Sequence, residues 1–388
     1  MTVPVEEQDA ERGGYDPLDL QFDRLGVGGA SEALGTPERP PARGWSSGVQ
    51  AIVLLLVGAA LGRHGLAILS EGTLSLLDPV VPVALAALGV LIAFEIGATP
   101  WGRGRVLAAA SVQGLIAGAV VTAGTLALAP QIIESTIGSR WVLAIALGVC
   151  ASTSSALATA AASTRSSIAR MVDMDAALPI VAGGLAMAAM REQALLPALS
   201  MTAQVAGIAL TIATAAWLLL TRSGSDTEQR VFGVATLLLL GGFADYLSLS
   251  ALMAGLVAGA FWHVIGGSPR ESIGRDLAHV HHPLVALILV VAGARTEVTA
   301  GIVGLAMAYV LLRAVGKLAG SIAATIIDPA TSPDVAPRLL SPGILGIAFA
   351  LNAMRAVGPD MALVLSVAVL GTIGSQLLAG ARPSEDAG

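Results

Sequence analysis

The chain runs in long apolar stretches, broken by short clusters of Gly, Pro, Arg and acidic residues. Apolar runs of about 20 residues without alternation have the length and period of membrane-crossing helices, not strands. Twelve spans are expected, near 48–70, 78–97, 105–128, 141–163, 167–190, 195–220, 230–244, 247–265, 281–298, 301–325, 338–356 and 360–381. The stretch 230–265 exceeds one crossing of about 20 residues, and Phe243-Ala-Asp245-Tyr246 reads as the turn that divides it. Backbone polar groups in a bilayer must be bonded within the protein. The expected fold class is therefore an all-α polytopic membrane protein with about twelve transmembrane helices.

Composition agrees with this pattern. The chain is 55% hydrophobic and 12% charged, against about 25% charge in a soluble domain. Abundant Ala and Gly beside only 4% aromatics suit close helix packing. Ala251, Gly255 and Gly259 form one ridge of small residues, and Gly316 with Gly320 another. A single cysteine, Cys150, excludes an internal disulfide.

Charge is distributed unevenly. Residues 1–46 hold nine acids and four arginines, and account for most of the net charge of −6. They read as a disordered acidic cytoplasmic tail that could dock a protein partner. No apolar core follows a basic start there, so no cleavable signal is expected. Residues 47–382 form the transmembrane domain and 383–388 a C-terminal tail. With the N-terminus inside, inner segments carry fourteen arginines. The outer loops carry five: Arg63, Arg140, Arg191, Arg295 and Arg355. That bias puts both termini in the cytoplasm and the protein in the cell's inner (plasma) membrane. No basic patch suggests nucleic acid.

The chemistry concentrates in a few polar residues inside apolar spans. Ser152–Ile180 is hydroxyl-rich, turns through two arginines, and re-enters apolar sequence carrying Asp173 and Asp175. Ionisable groups at membrane depth are costly and tend to mark ion paths. Lys317, the only lysine, sits inside the tenth span. Burial can bring a lysine's pKa into a working range, whereas arginine stays charged; the bland alternative is a lysine snorkelling to the interface. Asp175 and Lys317 are expected at matching depths, roughly 13 and 12 Å from the inner ends of their spans. Asp173 lies about 200° from Asp175 around the helix, and either faces the cavity or pairs with Arg170 at the interface.

Thr153, Ser154 and Ser155 fall mid-span, either bonding back to their own helix or marking a broken helix that lines a site. Ser341-Pro342-Gly343, Gly346 and Asn352 offer a counterpart seven spans later. An odd offset is what an inverted repeat requires. Arg313, one turn from Lys317, and Glu95 in span two are accessory candidates. His279, His281 and His282 cluster before span nine. They are weak candidates for a metal or for pH sensing, and no metal site is expected.

Taken together, these segments resemble the monovalent cation/proton antiporter superfamily, in its bacterial sodium/proton and potassium/proton branch. The likeness covers roughly 48–381. It is carried by TSSA at 153–156, MDAALPIV at 174–181, SLSALMAGLVAGAF at 248–261, LLRAVGKLAG at 311–320 and SPGILGIAFA at 341–350. The resemblance implies inverted repeats with two crossed broken helices. It implies a core bundle, about 105–190 and 301–381, moving against dimerisation or panel helices, and a homodimer. Met174 stands where the family's first paired acid would, so Asp175, with or without Asp173, is left to carry the carboxylate role.

The resulting expectation is secondary exchange of Na⁺ or K⁺ for H⁺. Asp175, Asp173, Lys317, Thr153 and Ser154 would form the ion-binding and proton-coupling set, with Arg313, Asn352 and Glu95 as accessories. Two alternatives are a sodium-coupled organic-anion transporter on the same scaffold and a non-transporting membrane subunit that recruits a partner. No nucleotide loop, metal-ligand pair or nucleophile–base set supports an enzyme, and no cofactor is expected.

Overall fold

The structure is a computed structural model that describes residues 47–98, 104–132, 137–154, 167–329 and 343–380. The acidic tail, the C-terminal tail and the segments 155–166 and 330–342 lie outside the described residues. Thirteen α-helices and no strand occur among the described residues. They are α1 Ser47–Leu61, α2 Glu71–Leu77, α3 Val80–Ala98, α4 Gly104–Ile132, α5 Ile137–Ser152 and α6 Ser167–Glu192. There follow α7 Leu195–Arg222, α8 Asp226–Tyr246, α9 Ala251–Ile265, α10 Ser268–Ala294, α11 Ala300–Ile327, α12 Ile344–Val357 and α13 Ala362–Gly380.

Each expected span has its helix, and the additional one, α2, is a short helix between the first two. Stretches within α3, α4, α7, α10, α11 and α13 are long and apolar enough to cross a membrane. Shorter apolar helices stand at α1, α5, α9 and α12. The protein is a multi-pass membrane protein.

Local chemistry sets the helix ends. The Ser225 hydroxyl accepts from the Glu228 amide to start α8, Ser250 from Met253 to start α9, and Thr299 from Ile302 to start α11. Each satisfies one amide that the first turn leaves without an internal partner. The α8–α9 break falls at 247–250, directly after the Asp245-Tyr246 pair. Ser248 at its centre has φ +52°. Two boundaries differ from the apolar pattern. α1 stops at Leu61, because residues 62–69 fold back through turns onto carbonyls such as Ala60 and Gly62. α10 begins at Ser268, so His279, His281 and His282 lie on the helix and not ahead of it. Ser-Pro-Arg-Glu at 268–271 places a proline in the first turn, where its missing N–H costs nothing.

Packing depends on small residues. A methyl added at Gly255 would strike the backbone of Ala86, and one at Gly89 the backbone of Leu252. Hence α3 and α9 touch main chain to main chain, as lipid-embedded helices do where dispersion must replace the hydrophobic drive. Gly316 and Gly320 bring α11 near Ala117 and Gln113 of α4, where an added methyl would lie 3.0 and 2.6 Å from the backbone. The Trp262 indole crosses from α9 to donate to the Ala213 carbonyl on α7 at 3.0 Å. α12 is almost wholly enclosed, from Leu345 through Ala353.

Candidate functional site

The end of α5 and the start of α12, where the sequence leads one to expect breaks, meet inside this packing. α5 stops at Ser152, and Thr153 and Ser154 continue without helical structure, all three buried. α12 starts at Ile344 after Gly343, whose backbone is extended at φ −82°, ψ 152°. The two ends touch. The Cys150 thiol donates to the Gly346 carbonyl at 3.4 Å. A Cβ on Gly346 would sit 3.1 Å from both the Cys150 carbonyl and the Thr153 hydroxyl oxygen. Glycine at 346 leaves this close approach of α12 to the end of α5 uncrowded. Residues 155–166 and 330–342, on which the rest of each expected break would fall, lie outside the described residues.

The last turn of α5 ends in carbonyls with no partner within the helix, and the helix dipole adds negative potential there. Two cations from α11 answer it. Lys317 Nζ donates to the Ser152 carbonyl at 2.7 Å and to the Ser154 hydroxyl oxygen at 2.7 Å. Arg313 Nη2 donates to the Thr153 carbonyl at 2.7 Å. Lys317 is 0% exposed and Arg313 2%. The spacing of four on α11 puts both groups on one face, a turn apart. Lys317 therefore does not snorkel to an interface; its ammonium is engaged in the interior by the end of α5.

The hydroxyls at the break divide their roles. Thr153 Oγ1 donates to the Cys150 carbonyl at 2.8 Å, and Ser152 Oγ to the Val149 carbonyl at 2.7 Å. Both close the final turn of their own helix, the back-bonding habit of Ser and Thr. Thr153 meets the cation pair through its carbonyl, whereas Ser154 meets it through its side chain.

Asp173 and Asp175 both fall on α6, but their side chains lie outside the described residues. Along the backbone, Asp175 stands eight residues from the start of α6 (175 − 167) and Lys317 ten from the end of α11 (327 − 317). At 1.5 Å per residue these are about 12 and 15 Å along their own helices.

Of the accessory residues, only Arg313 joins this group. Asn352 accepts from the Ala251 amide at 3.2 Å and donates to Ser250 Oγ at 3.0 Å, and so holds the start of α9. Glu95 is exposed on α3.

A second polar group was not expected from the sequence. The Arg355 guanidinium, at the end of α12, donates to Asp245 Oδ1 through Nη2 at 2.7 Å and to Asp78 Oδ1 through Nη1 at 2.8 Å. Arg295 also pairs with Asp78. The partners are separated by up to 277 positions in the chain, and no motif connects them. The only sequence hint was that Arg295 and Arg355 belong to loops on the same side.

Solved structures share this architecture. The sodium/proton antiporter MjNhaP1 from Methanocaldococcus jannaschii, in its structure at pH 8, superposes with a TM-score of 0.59. The match covers 93% of this chain and 95% of that one at 14% identity. An electron-microscopy structure of the same antiporter gives 0.60 over 94% and 92%, again at 14% identity. This chain has the sodium/proton antiporter fold. At that identity the likeness concerns the path of the helices. No family model matches the sequence, and no curated protein matches it.

Proposed function

We propose that this protein is a secondary transporter that exchanges a monovalent cation, Na⁺ or K⁺, for H⁺ by alternating access. The observation that carries the reading is the buried Lys317, which with Arg313 holds the end of α5 where it meets α12. A protonated amine inside an apolar bundle raises the cost of any further cation and favours a nearby carboxylate in its charged form. Asp175 is the carboxylate of this reading, with Asp173 as the second acid on the same helix. When Asp175 takes a proton, its attraction for a metal ion goes. When it holds a metal ion, the proton has left. Two ligands that need one charge cannot share it, and that competition couples their flows.

Ser154 Oγ and the carbonyls at the break would supply oxygen ligands, which suit a hard cation. The bundle of α4–α6 and α11–α13 would carry this site past the remaining helices, which would also form a homodimer contact. The protein would sit in the plasma membrane with both termini in the cytoplasm.

The test is exchange in proteoliposomes with an internal pH dye, on addition of Na⁺, K⁺ or Li⁺. Wild-type protein should dissipate a pH gradient with at least one of them, and Asp175→Asn should abolish the response. Unchanged exchange in Asp175→Asn overturns the site assignment, and no cation-driven response in wild type overturns the function. The organic-anion alternative would need Arg313 and Lys317 to receive a carboxylate, yet both donate to the end of α5. That engagement favours the cation reading.

A further inference from the structure

The C-terminal end of α12 is fastened differently from the rest of that helix. Leu345 to Leu351 are buried. The final two turns are instead tied by polar side chains to three other helices. Arg355 reaches Asp245 at the end of α8 and Asp78 just ahead of α3, and Arg295 at the end of α10 meets the same Asp78. Asn352 holds Ser250 and the Ala251 amide. From α6, Arg191 Nη1 donates to the Leu247 and Ser248 carbonyls of the same α8–α9 turn, at 2.8 and 3.2 Å.

All of these attachments lie on one face of the bundle, the face where α1, α6, α8, α10 and α12 end. The charged ones remain partly in contact with solvent. Arg355 is 16% and Arg295 21% exposed, against 36% for Asp78 and 37% for Asp245. Asp78 and Arg295 also help line a cavity of about 310 Å³ that opens there.

We infer that Asp78, Asp245, Arg295 and Arg355 form an ionic latch that closes the bundle on this face and opens during each transport cycle. The inference rests on the exchange reading above. Three physical points support it. First, the contacts are of a breakable kind: ion pairs near solvent are weak, and water and salt compete for them. Secondly, they join α12 to helices outside the bundle proposed to carry the ion. Thirdly, α12 is a stiff lever. Nine residues separate Gly346, at the crossing with α5, from Arg355, at the latch (355 − 346), or about 14 Å of continuous helix. A shift of the site cannot leave the latch in place unless α12 bends. The charges balance, two acids against two arginines. Removing Arg355 therefore leaves Asp245 without the guanidinium that neutralises it.

The experiment uses the full chain in proteoliposomes, with two readouts. Spin labels on Tyr246→Cys and Asp360→Cys, both exposed, flank the latch, and their distance reports closure without needing ion flux; Cys150 is buried. The second readout is the apparent affinity for external cation in the exchange assay. Wild type should give one dominant short distance, and added choline chloride should increase a longer population. Arg355→Gln should raise the open-to-closed ratio about tenfold, the scale that losing two partly exposed pairs allows. It should strengthen external apparent affinity in step and remove most of the salt dependence, while Arg355→Lys restores part of the closure.

Asp245→Asn, which leaves the Arg355–Asp78 pair standing, should give an intermediate shift and serves if Arg355→Gln does not fold. An unaltered distance distribution and salt response in folded Arg355→Gln or Asp245→Asn overturns the latch. Label distances that shift in a protein without any cation-driven exchange leave the latch in place and overturn the proposed function instead.

Discussion

Replacing Lys317 by Met tests the join between α11 and the end of α5. Methionine is unbranched and nearly fills the space of the lysine stem, so the main loss is the ammonium. Among the described residues two hydrogen bonds of 2.7 Å go with it, to the Ser152 carbonyl and Ser154 Oγ. Polar contacts between membrane helices are worth about 0.6 kcal/mol on average and up to about 1.7. The pair therefore contributes about 1–3 kcal/mol. A cation at a helix C-terminus adds a term of about 0.3–1 kcal/mol. Against these stands the cost of burying a charge, which the Met variant no longer bears. Much of that cost cancels, because the inserted but unpacked helix carries the same lysine in the same bilayer.

The net expectation is a loss of about 1–3 kcal/mol, a fall in Tm on the order of 2–10 °C. Thermal unfolding in detergent, followed by the fluorescence of the five tryptophans, would measure it. Cation-driven proton exchange by the same preparation should vanish. A Tm equal to or above that of wild type would show that the two bonds do not hold the break together. Lys317→Arg keeps a cation but cannot lose its proton in a working range, and it adds volume at a fully enclosed position. It should recover part of the stability without full exchange.

Two further substitutions test the packing around the site. Gly255→Val would push a side chain into the Ala86 backbone. Overpacking of this kind costs about 1–3 kcal/mol, so Tm should drop by several degrees, and an unchanged Tm would refute the main-chain contact between α3 and α9. Asn352→Ala removes the bonds to Ser250 and Ala251, worth about 1–2 kcal/mol together. It should lower Tm while leaving the order of preference among Na⁺, K⁺ and Li⁺ unchanged. A switch in that preference would return Asn352 to the ion site.

The primary structure determined the class of molecule, because a bilayer accepts few solutions. Apolar runs near 20 residues can satisfy their backbone only as helices, so the order of the spans could be read directly. The helix ends at the site were legible for a related reason. Thr153-Ser154 follow directly on the end of α5, and Gly343 stands directly before α12. The lone Lys317 stood out against a background of arginine, and the resemblance across these segments pointed to the fold that the superposition shows. Where α1 stops and α10 starts was not legible, because turn hydrogen bonds and a first-turn proline outweigh hydropathy at helix ends.

What only the folded chain decided is which polar groups meet. Lys317 binds the main chain of residues some 165 positions away, and Asn352, which seemed to belong with the second break, instead anchors the start of α9. Arg355, Asp78, Asp245 and Arg295 looked like unrelated loop charges and form one network. Periodicity fixes a residue's depth and its angle on its own helix. It carries no information on the rotation and neighbours of that helix within the bundle, and an ion pair depends on both.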